Sequence, residues 1–418
     1  MARVQYSSPR PLQVSIVGAG IAGLAAAISL RRSGHRVTVF EASQLNTEVD
    51  AGLSLQANAV RILEQFGCFK ENLRAVDFDG VTTFDAKNGV GTPHPWLFPR
   101  VGQDLCCHRD DLHNELKRLA FGDGEGPSVQ LWLDSKILAC DPEEGAIFLG
   151  NSEIIYADVV IGADGTHSVV RTCVLRQPVM PVETNWACFR CLFDAPNRSE
   201  FVDLAWLTKG LNGARSVRMR ENPLRQFFVY PVRNGTLLNF VGFYPESRRH
   251  QSVRTSPLTL EDIRQKFYDF HPKFLRILDL PLHSPILKLQ LKALPQLPTW
   301  IRGRTTLLGD AAHSSLPMLS QGAAMAIEEA AALGCLLPVG TSREDVPARL
   351  EAYQTLRKAR GEHASTSSMS QSTGPEKRGL YNRSQEMEAS LIDHDTIKVT
   401  QAYVDAQFGS TPSNRSLS

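Results

Sequence analysis

Three glycines stand at the spacing G-x-G-x-x-G in Gly18-Ala19-Gly20-Ile21-Ala22-Gly23, and an acid, Glu41, closes the next apolar run. The chemistry open to such a set is the binding of a dinucleotide. Gly18 permits a tight turn, Gly20 lets a pyrophosphate approach the backbone, and Gly23 lets a helix pack closely on a sheet. The unpaired N–H groups and positive end of that helix favour a diphosphate. The Glu41 carboxylate can accept hydrogen bonds from the hydroxyls of an adenosine ribose. The elements that must position these groups lie in the same stretch. Val14, Ile16 and Val17 form a β-branched strand, Ala25 to Leu30 are strong helix formers, and Gly34 is a stop. Val37, Val39 and Phe40 make a second strand that delivers Glu41.

Two later turns have the same character. Val159-Val160-Ile161 reads as a buried strand ending in Gly162-Ala163-Asp164-Gly165, a second acidic strand-end turn placed to join the first in one site. A strand at Thr306–Leu308 runs into Gly309-Asp310, a proline-containing loop and a helix opening near Gln321-Gly322-Ala323. The free N–H groups of that helix start can face a cofactor. Arg109 precedes Asp110, a candidate N-cap for a helix from Asp111 to Ala120. On local grounds Arg109 reads equally as a surface ion-pair partner or as a cation reaching a cofactor phosphate.

The whole chain sets bounds. Its 418 residues, 42% apolar and 21% charged, describe a globular protein long enough for two domains. A net charge of +1 offers no electrostatic case for nucleic acid or an acidic membrane surface. No apolar run approaches the roughly 20 residues that span a bilayer. The opening MARVQYSSPRPLQ lacks the apolar core of a secretory signal and reads as a short disordered arm, so a cytoplasmic location is expected. Cys68, Cys140 and Cys335 lie in apolar segments. Cys188 and Cys191 are three apart on a strand and point to opposite faces, and Cys106-Cys107 has no second pair to complete a zinc site. Structural thiols and no metal are expected.

Between these blocks, Ala51 to Leu55 alternates like a short strand, and Asn58 to Phe66 has helical spacing closed by Gly67. Val76 to Arg100 reads as antiparallel strands of a second domain, and Val129 to Phe148 as two strands joined by the turn Asp141–Gly145. From Thr184 to Lys288 apolar and alternating segments, with the turn Arg233-Asn234-Gly235, imply an antiparallel sheet interrupted by one helix, Leu260 to His271. Arg349 to Ser370 is helical and basic, Gly374-Pro375 breaks it, and the last eight residues read as disordered.

Taken together, the glycine turn, the Asp164-Gly165 block and the Gly309-Asp310 block, in that order, resemble the class A flavoprotein monooxygenases. This group includes salicylate hydroxylase and para-hydroxybenzoate hydroxylase, and the likeness is greatest to fungal secondary-metabolite hydroxylases of the salicylate hydroxylase type. The resemblance runs from about Gln13 to Arg360, and His108-Arg109-Asp110-Asp111-Leu112 matches its H-R-x-x-L segment. It implies an α/β fold: a Rossmann-like FAD-binding domain (residues 12–75, 101–180 and 295–335), an inserted antiparallel-sheet substrate domain (76–100 and 181–294), and C-terminal helices (336–410). By resemblance Gly18, Gly20, Gly23, Glu41, Ala51, Gly52, Arg109, Asp164, Asp310, Gly322 and Ala323 contact FAD. Pro317 matches the proline that lies over the flavin. The sequence departs from the family pattern at Ser314, where proline is usual, at Asp50, where glycine is frequent, and at Ala42, where Arg or Lys is common.

The implied reaction is reduction of FAD by NAD(P)H, followed by oxygen transfer from a C4a-hydroperoxyflavin to an electron-rich aromatic of phenol or indole type. Arg190 could pair with a phenolate or carboxylate, and Tyr230 could hydrogen-bond the same oxygen or relay its proton; both match pocket residues of the fungal relatives. His313 is a weaker candidate that would only buttress its loop. The expected partners are a small aromatic substrate and dioxygen, in a monomer or homodimer. The alternatives are an FAD oxidoreductase that does not hydroxylate (a reductase, dehydrogenase or halogenase) and a non-catalytic binding protein on the FAD fold. A halogenase would be expected to carry a Trp-x-Trp-x-Ile-Pro segment, which is not found here.

Overall fold

The computed structural model describes residues 10–45, 51–95, 102–196, 204–219, 225–246, 258–370 and 390–409. Asp50, Gly374-Pro375, the stretch 96–101 and both chain ends lie outside them.

The strand Gln13–Val17 occupies the middle of a six-stranded sheet. It pairs in parallel with Arg36–Phe40 on one side and Val159–Gly162 on the other. Thr305–Leu307 extends the sheet beyond Val159–Gly162, and Gln130–Trp132 extends it beyond Arg36–Phe40. Ile301–Arg302 closes one edge as the antiparallel strand. Parallel strands covered on both faces read as near-continuous apolar runs, as Val159-Val160-Ile161 does here. The helix Ile21–Arg32 is buried almost all round, because it packs against both Gly322–Leu336 and Arg109–Phe121.

A seven-stranded sheet runs in the order Leu287–Ala293, Val182–Asp194, Leu237–Pro245, Arg225–Val232, Ala214–Met219, Gly80–Asp85, Gly91–Pro95. Its period-2 alternation separates two faces. Phe189, Cys191, Phe193, Phe227 and Phe240 pack beneath Ile263, Phe267 and Phe274. Cys188, Phe228, Val241 and Phe243 form the opposite face. Burying each such phenylalanine contributes about 1.5–3 kcal/mol.

The structure corrects several local readings. Gly80–Asp85 pairs with Ala214–Met219 in parallel, so the sheet is mixed. Such a pair needs a long crossover, and here the chain passes through the six-stranded sheet between the two strands. Val76–Asp77 belongs to a small sheet with Leu105–His108 and Gly52–Leu55. The hairpin across Asp141–Gly145 forms, but Gln130–Trp132 is a separate strand of the six-stranded sheet. The helix read as Leu260–His271 ends at Lys266, where Phe267 and Phe270 turn into the core, and Pro272 starts a new one. The helix read from Asp111 begins at Arg109, and its cap is His108, whose Nδ1 accepts from the Asp110 N–H at 3.3 Å.

Candidate active site

The glycine turn is built by close approach. Gly18 has φ +102°, and a Cβ there would lie 2.4 Å from the Ala163 carbonyl oxygen; one at Gly23 would lie 1.9 Å from that of Gly18. A side chain at Gly18 would thus force the first two strand-end turns apart. Glu41 faces this turn: its Oε2 accepts from the Ala19 N–H and its Oε1 from the Ser43 N–H, each at 2.8 Å. A carboxylate has about four acceptor positions, so two remain for ribose hydroxyls.

In front of the turn lies a cavity of about 350 Å³. Its walls bring together Gly20, Gly52, Arg109, Asp310, Gly322 and Ala323 from the cofactor set with Arg190 and Tyr230 from the seven-stranded sheet. Its floor is the apolar sheet face, including Val241, Phe228 and Phe243. Cys188 also lines it, and burial pushes that thiol up to about 11, so it contributes as an apolar group. Gly18, Gly23, Glu41, Ala51 and Asp164 do not line the cavity. The first two shape the turn, Glu41 fastens it, and the Ala51 carbonyl accepts from the Arg109 N–H at 2.8 Å.

The Asp164 carboxylate is engaged within its own segment. It accepts from Ser168 Oγ at 2.5 Å and from the Val169 and Val170 N–H groups at 2.7 and 3.1 Å, capping the helix Val169–Leu175. Burial pushes its pKa up, against these hydrogen bonds. Its neighbours Ala163 and Gly165 are the residues that line the cavity.

Arg190 and Tyr230 stand on strands separated by Leu237–Pro245, so their backbones lie about 10 Å apart, two inter-strand spacings. Arg190 donates from Nη2 to the Gly52 carbonyl at 3.1 Å, while Tyr230 packs among Phe78, Val81 and Ala214.

Three residues that sequence reasoning missed hold the site. Asn239, fully buried, accepts the Gly52 N–H at 2.7 Å. Arg171 ties two loops, donating to the Thr166 carbonyl at 2.8 Å and the Ala311 carbonyl at 3.1 Å. Glu328, nearly two turns into the helix Gly322–Leu336, binds Arg357 at 2.6 Å, Arg360 at 2.7 Å and Asn58 at 2.7 Å. Burial alone would raise the Glu328 pKa; the two arginines and Asn58 outweigh it and hold it at about 2. His313 donates from Nε2 to Glu329 Oε1 at 2.7 Å, and Glu329 Oε2 accepts the Gly309 N–H, so this pair buttresses the Asp310 loop. His108, Asp110 and Asp111 bring three donor groups together, but Arg74 and Arg233 ion-pair with the two acids.

The cavity fits a flavin dinucleotide. Ser54 Oγ, Arg190 Nε and Asn239 Nδ2 are buried without partners among the described residues, clustered on or beside Gly52. They are donors that a polar heterocycle can satisfy. A Cβ at Gly322 would meet nothing within 4 Å, so the N-terminus of its 15-residue helix opens onto free space.

Turn, cavity and helix start define an FAD-binding α/β flavoprotein. Residues 146–368 match the FAD binding domain family, and residues 16–45 match an NAD(P)-binding Rossmann-like domain. Hispidin-3-hydroxylase of Neonothopanus nambi is 37% identical over 93% of this chain and 94% of its own length. The 3-amino-4-hydroxybenzoate 2-monooxygenase of Streptomyces cremeus is 31% identical over 83% of this chain and 84% of its own. A crystal structure of CtdE with FAD and substrate superposes with a TM-score of 0.79 at 22% identity, covering 95% of this chain and 98% of that one. The chain belongs to the FAD-dependent monooxygenase family.

Proposed function

We propose that this flavoprotein monooxygenase hydroxylates an electron-rich aromatic of phenol or indole type, with NAD(P)H and dioxygen as co-substrates, in secondary-metabolite biosynthesis. The observation that carries this reading is a cavity in which cofactor-side groups meet Arg190, Tyr230 and an apolar sheet floor. Hydroxybenzoate and hispidin hydroxylases among its relatives support an aromatic substrate.

In this reading Glu41 holds the adenosine ribose, the Gly20 turn and Arg109 hold the diphosphate, and Asp310 holds the ribityl chain. The N–H groups at Gly322 and Ala323, at the positive end of their helix, would hold an electron-rich edge of the flavin and favour its reduced form. Bound FAD supplies electron transfer from NAD(P)H and oxygen transfer to the ring. Arg190 stabilises the substrate as a phenolate or other anion, and Tyr230 hydrogen-bonds a second polar group across the floor. The apolar residues between them exclude water. The division into cofactor, sheet and C-terminal segments belongs to this proposal, with the first boundary moved to follow Asp77. So do a cytoplasmic location, favoured by the free cysteines, and a monomeric or homodimeric state.

The test combines purified holoprotein, NADPH or NADH, and a panel of phenols and indoles under labelled dioxygen. One labelled oxygen in an aromatic product is expected. NAD(P)H oxidation with no label in any product would overturn hydroxylation in favour of a non-hydroxylating oxidoreductase.

A further inference from the structure

Away from the cavity, two thiols stand in contact. Cys140 lies in the strand Ile137–Asp141 and Cys173 in the helix Val169–Leu175. The Cys140 backbone N–H donates to Cys173 Sγ at 3.2 Å. Both are unpaired cysteines; Cys140 is buried, and Cys173 is partly exposed. The sequence pairs Cys106-Cys107 and Cys188/Cys191 point to opposite faces of their strands and have no such contact geometry.

We propose that Cys140 and Cys173 form a peroxide-reducing dithiol that closes to a disulfide. Cys173 is the attacking sulfur. Cys173 is the partly exposed member of the two; the adjacent Cys140 thiol and the Cys140 N–H donated to its sulfur bring its pKa down against burial, whereas Cys140, beside that sulfur and buried, is pushed up. The Cys173 thiolate attacks one oxygen of hydrogen peroxide: an S–O bond forms, the O–O bond breaks, and the departing hydroxide takes up a proton to become water. The Cys140 sulfur then attacks the sulfenic sulfur. The S–S bond forms, the S–O bond breaks, and a second water leaves with the Cys140 proton. Two thiols and one peroxide give one disulfide and two waters; the sulfurs are oxidised and the peroxide reduced by two electrons.

The position gives the bond a structural reach. The same helix carries Arg171, which holds the carbonyls of Thr166 and Ala311 on two loops of the site. Closing the disulfide fastens this helix to the strand Ile137–Asp141 and anchors both loops from behind.

The test treats the FAD-loaded full chain with stoichiometric hydrogen peroxide at neutral pH. The intact mass should fall by two hydrogens, a proteolytic fragment should join Cys140 to Cys173, and dithiothreitol should reverse both. In Cys140→Ser, dimedone should trap a sulfenic acid at Cys173. Alkylation of the untreated wild-type protein, which needs no variant, should modify Cys173 ahead of Cys140. A bridge through any other cysteine, direct conversion of wild-type Cys173 to sulfinic acid, or no reaction at peroxide levels that oxidise glutathione would each overturn the proposal.

Discussion

The backbone N–H of Gly52 donates to Asn239 Oδ1 at 2.7 Å, joining the cofactor side of the cavity to the middle of the seven-stranded sheet. The contact leaves no room for a side chain: a Cβ on Gly52 would lie 2.5 Å from the Asn239 Cβ. Gly52→Ala should therefore cost about 1–3 kcal/mol of stability by overpacking and weaken FAD retention. Asn239→Gly in that background should recover part of the loss, with a coupling of about 0.5–3 kcal/mol. Urea unfolding of the four proteins in the cycle measures this. Strictly additive losses would mean that the two residues do not oppose one another.

Two glycines, one in the turn behind the cavity and one on its wall, should separate folding from binding. Gly18→Ala forces a Cβ against the Ala163 carbonyl at a left-handed φ, so the variant should be unstable and colourless. Gly322→Ala meets nothing within 4 Å and should fold with an unfolding midpoint close to wild type. Its methyl group enters the space in front of the helix start, so FAD affinity should fall. Flavin titration of apoprotein beside circular dichroism tests the pair. An unchanged FAD affinity for Gly322→Ala would remove that helix from the flavin site.

Arg190 and Tyr230, on separate strands, should fail in different ways. Tyr230→Phe should lower kcat by about 10²-fold if its hydroxyl moves a proton, with KM little changed. Arg190→Met should raise KM for an acidic phenol, and Arg190→Lys should keep part of the binding as a point charge while losing the Gly52 contact. Steady-state kinetics over a series of substituted phenols reads both effects. Indistinguishable profiles for Arg190→Met and Tyr230→Phe would show one shared role.

The Glu328 node should set acid stability. Its folded pKa, about 2, lies below its ordinary 4.5, so its contribution is complete above 4.5 and is lost as the pH falls toward 2. Glu328→Gln leaves Arg357 and Arg360 without their buried partner and should cost about 3–5 kcal/mol at neutral pH. The difference in unfolding free energy between wild type and variant should shrink as the pH drops from 5 to 2. A difference that stays constant across that range would mean that Glu328 is not charged in the folded protein.

The glycine turn and the strand-end residues of the six-stranded sheet were legible because their signals are local: spacing, β-branching and a strand-ending acid all fall within a few residues. Asn239, Arg171 and Glu328 were not, since each acquires its role only when distant segments meet. Asn239 is one polar residue in an apolar strand until Gly52 arrives against it. Asp164 was legible as a turn residue but not in its role. Ser168 four residues on, ahead of a helix, is the signal that its carboxylate would cap its own segment. The helix expected to reach His271 stopped early because burying Phe267 and Phe270 outweighed helical continuity. The parallel pairing of Gly80–Asp85 could not be read at all, because nothing in that strand names its partner.

The strand order also dictates when this protein can become a flavoprotein. The ribosome releases the glycine turn early, yet the strand before it must wait for Val159–Gly162, which in turn waits for Thr305–Leu307. Until the last of these emerges, the nascent chain carries an open, apolar sheet edge. The loop and helix that follow Thr305–Leu307 and form the far wall of the cavity come later still. Cofactor capture is thus a late event in the life of each molecule, because the wall that completes the cavity is among the last parts to be made.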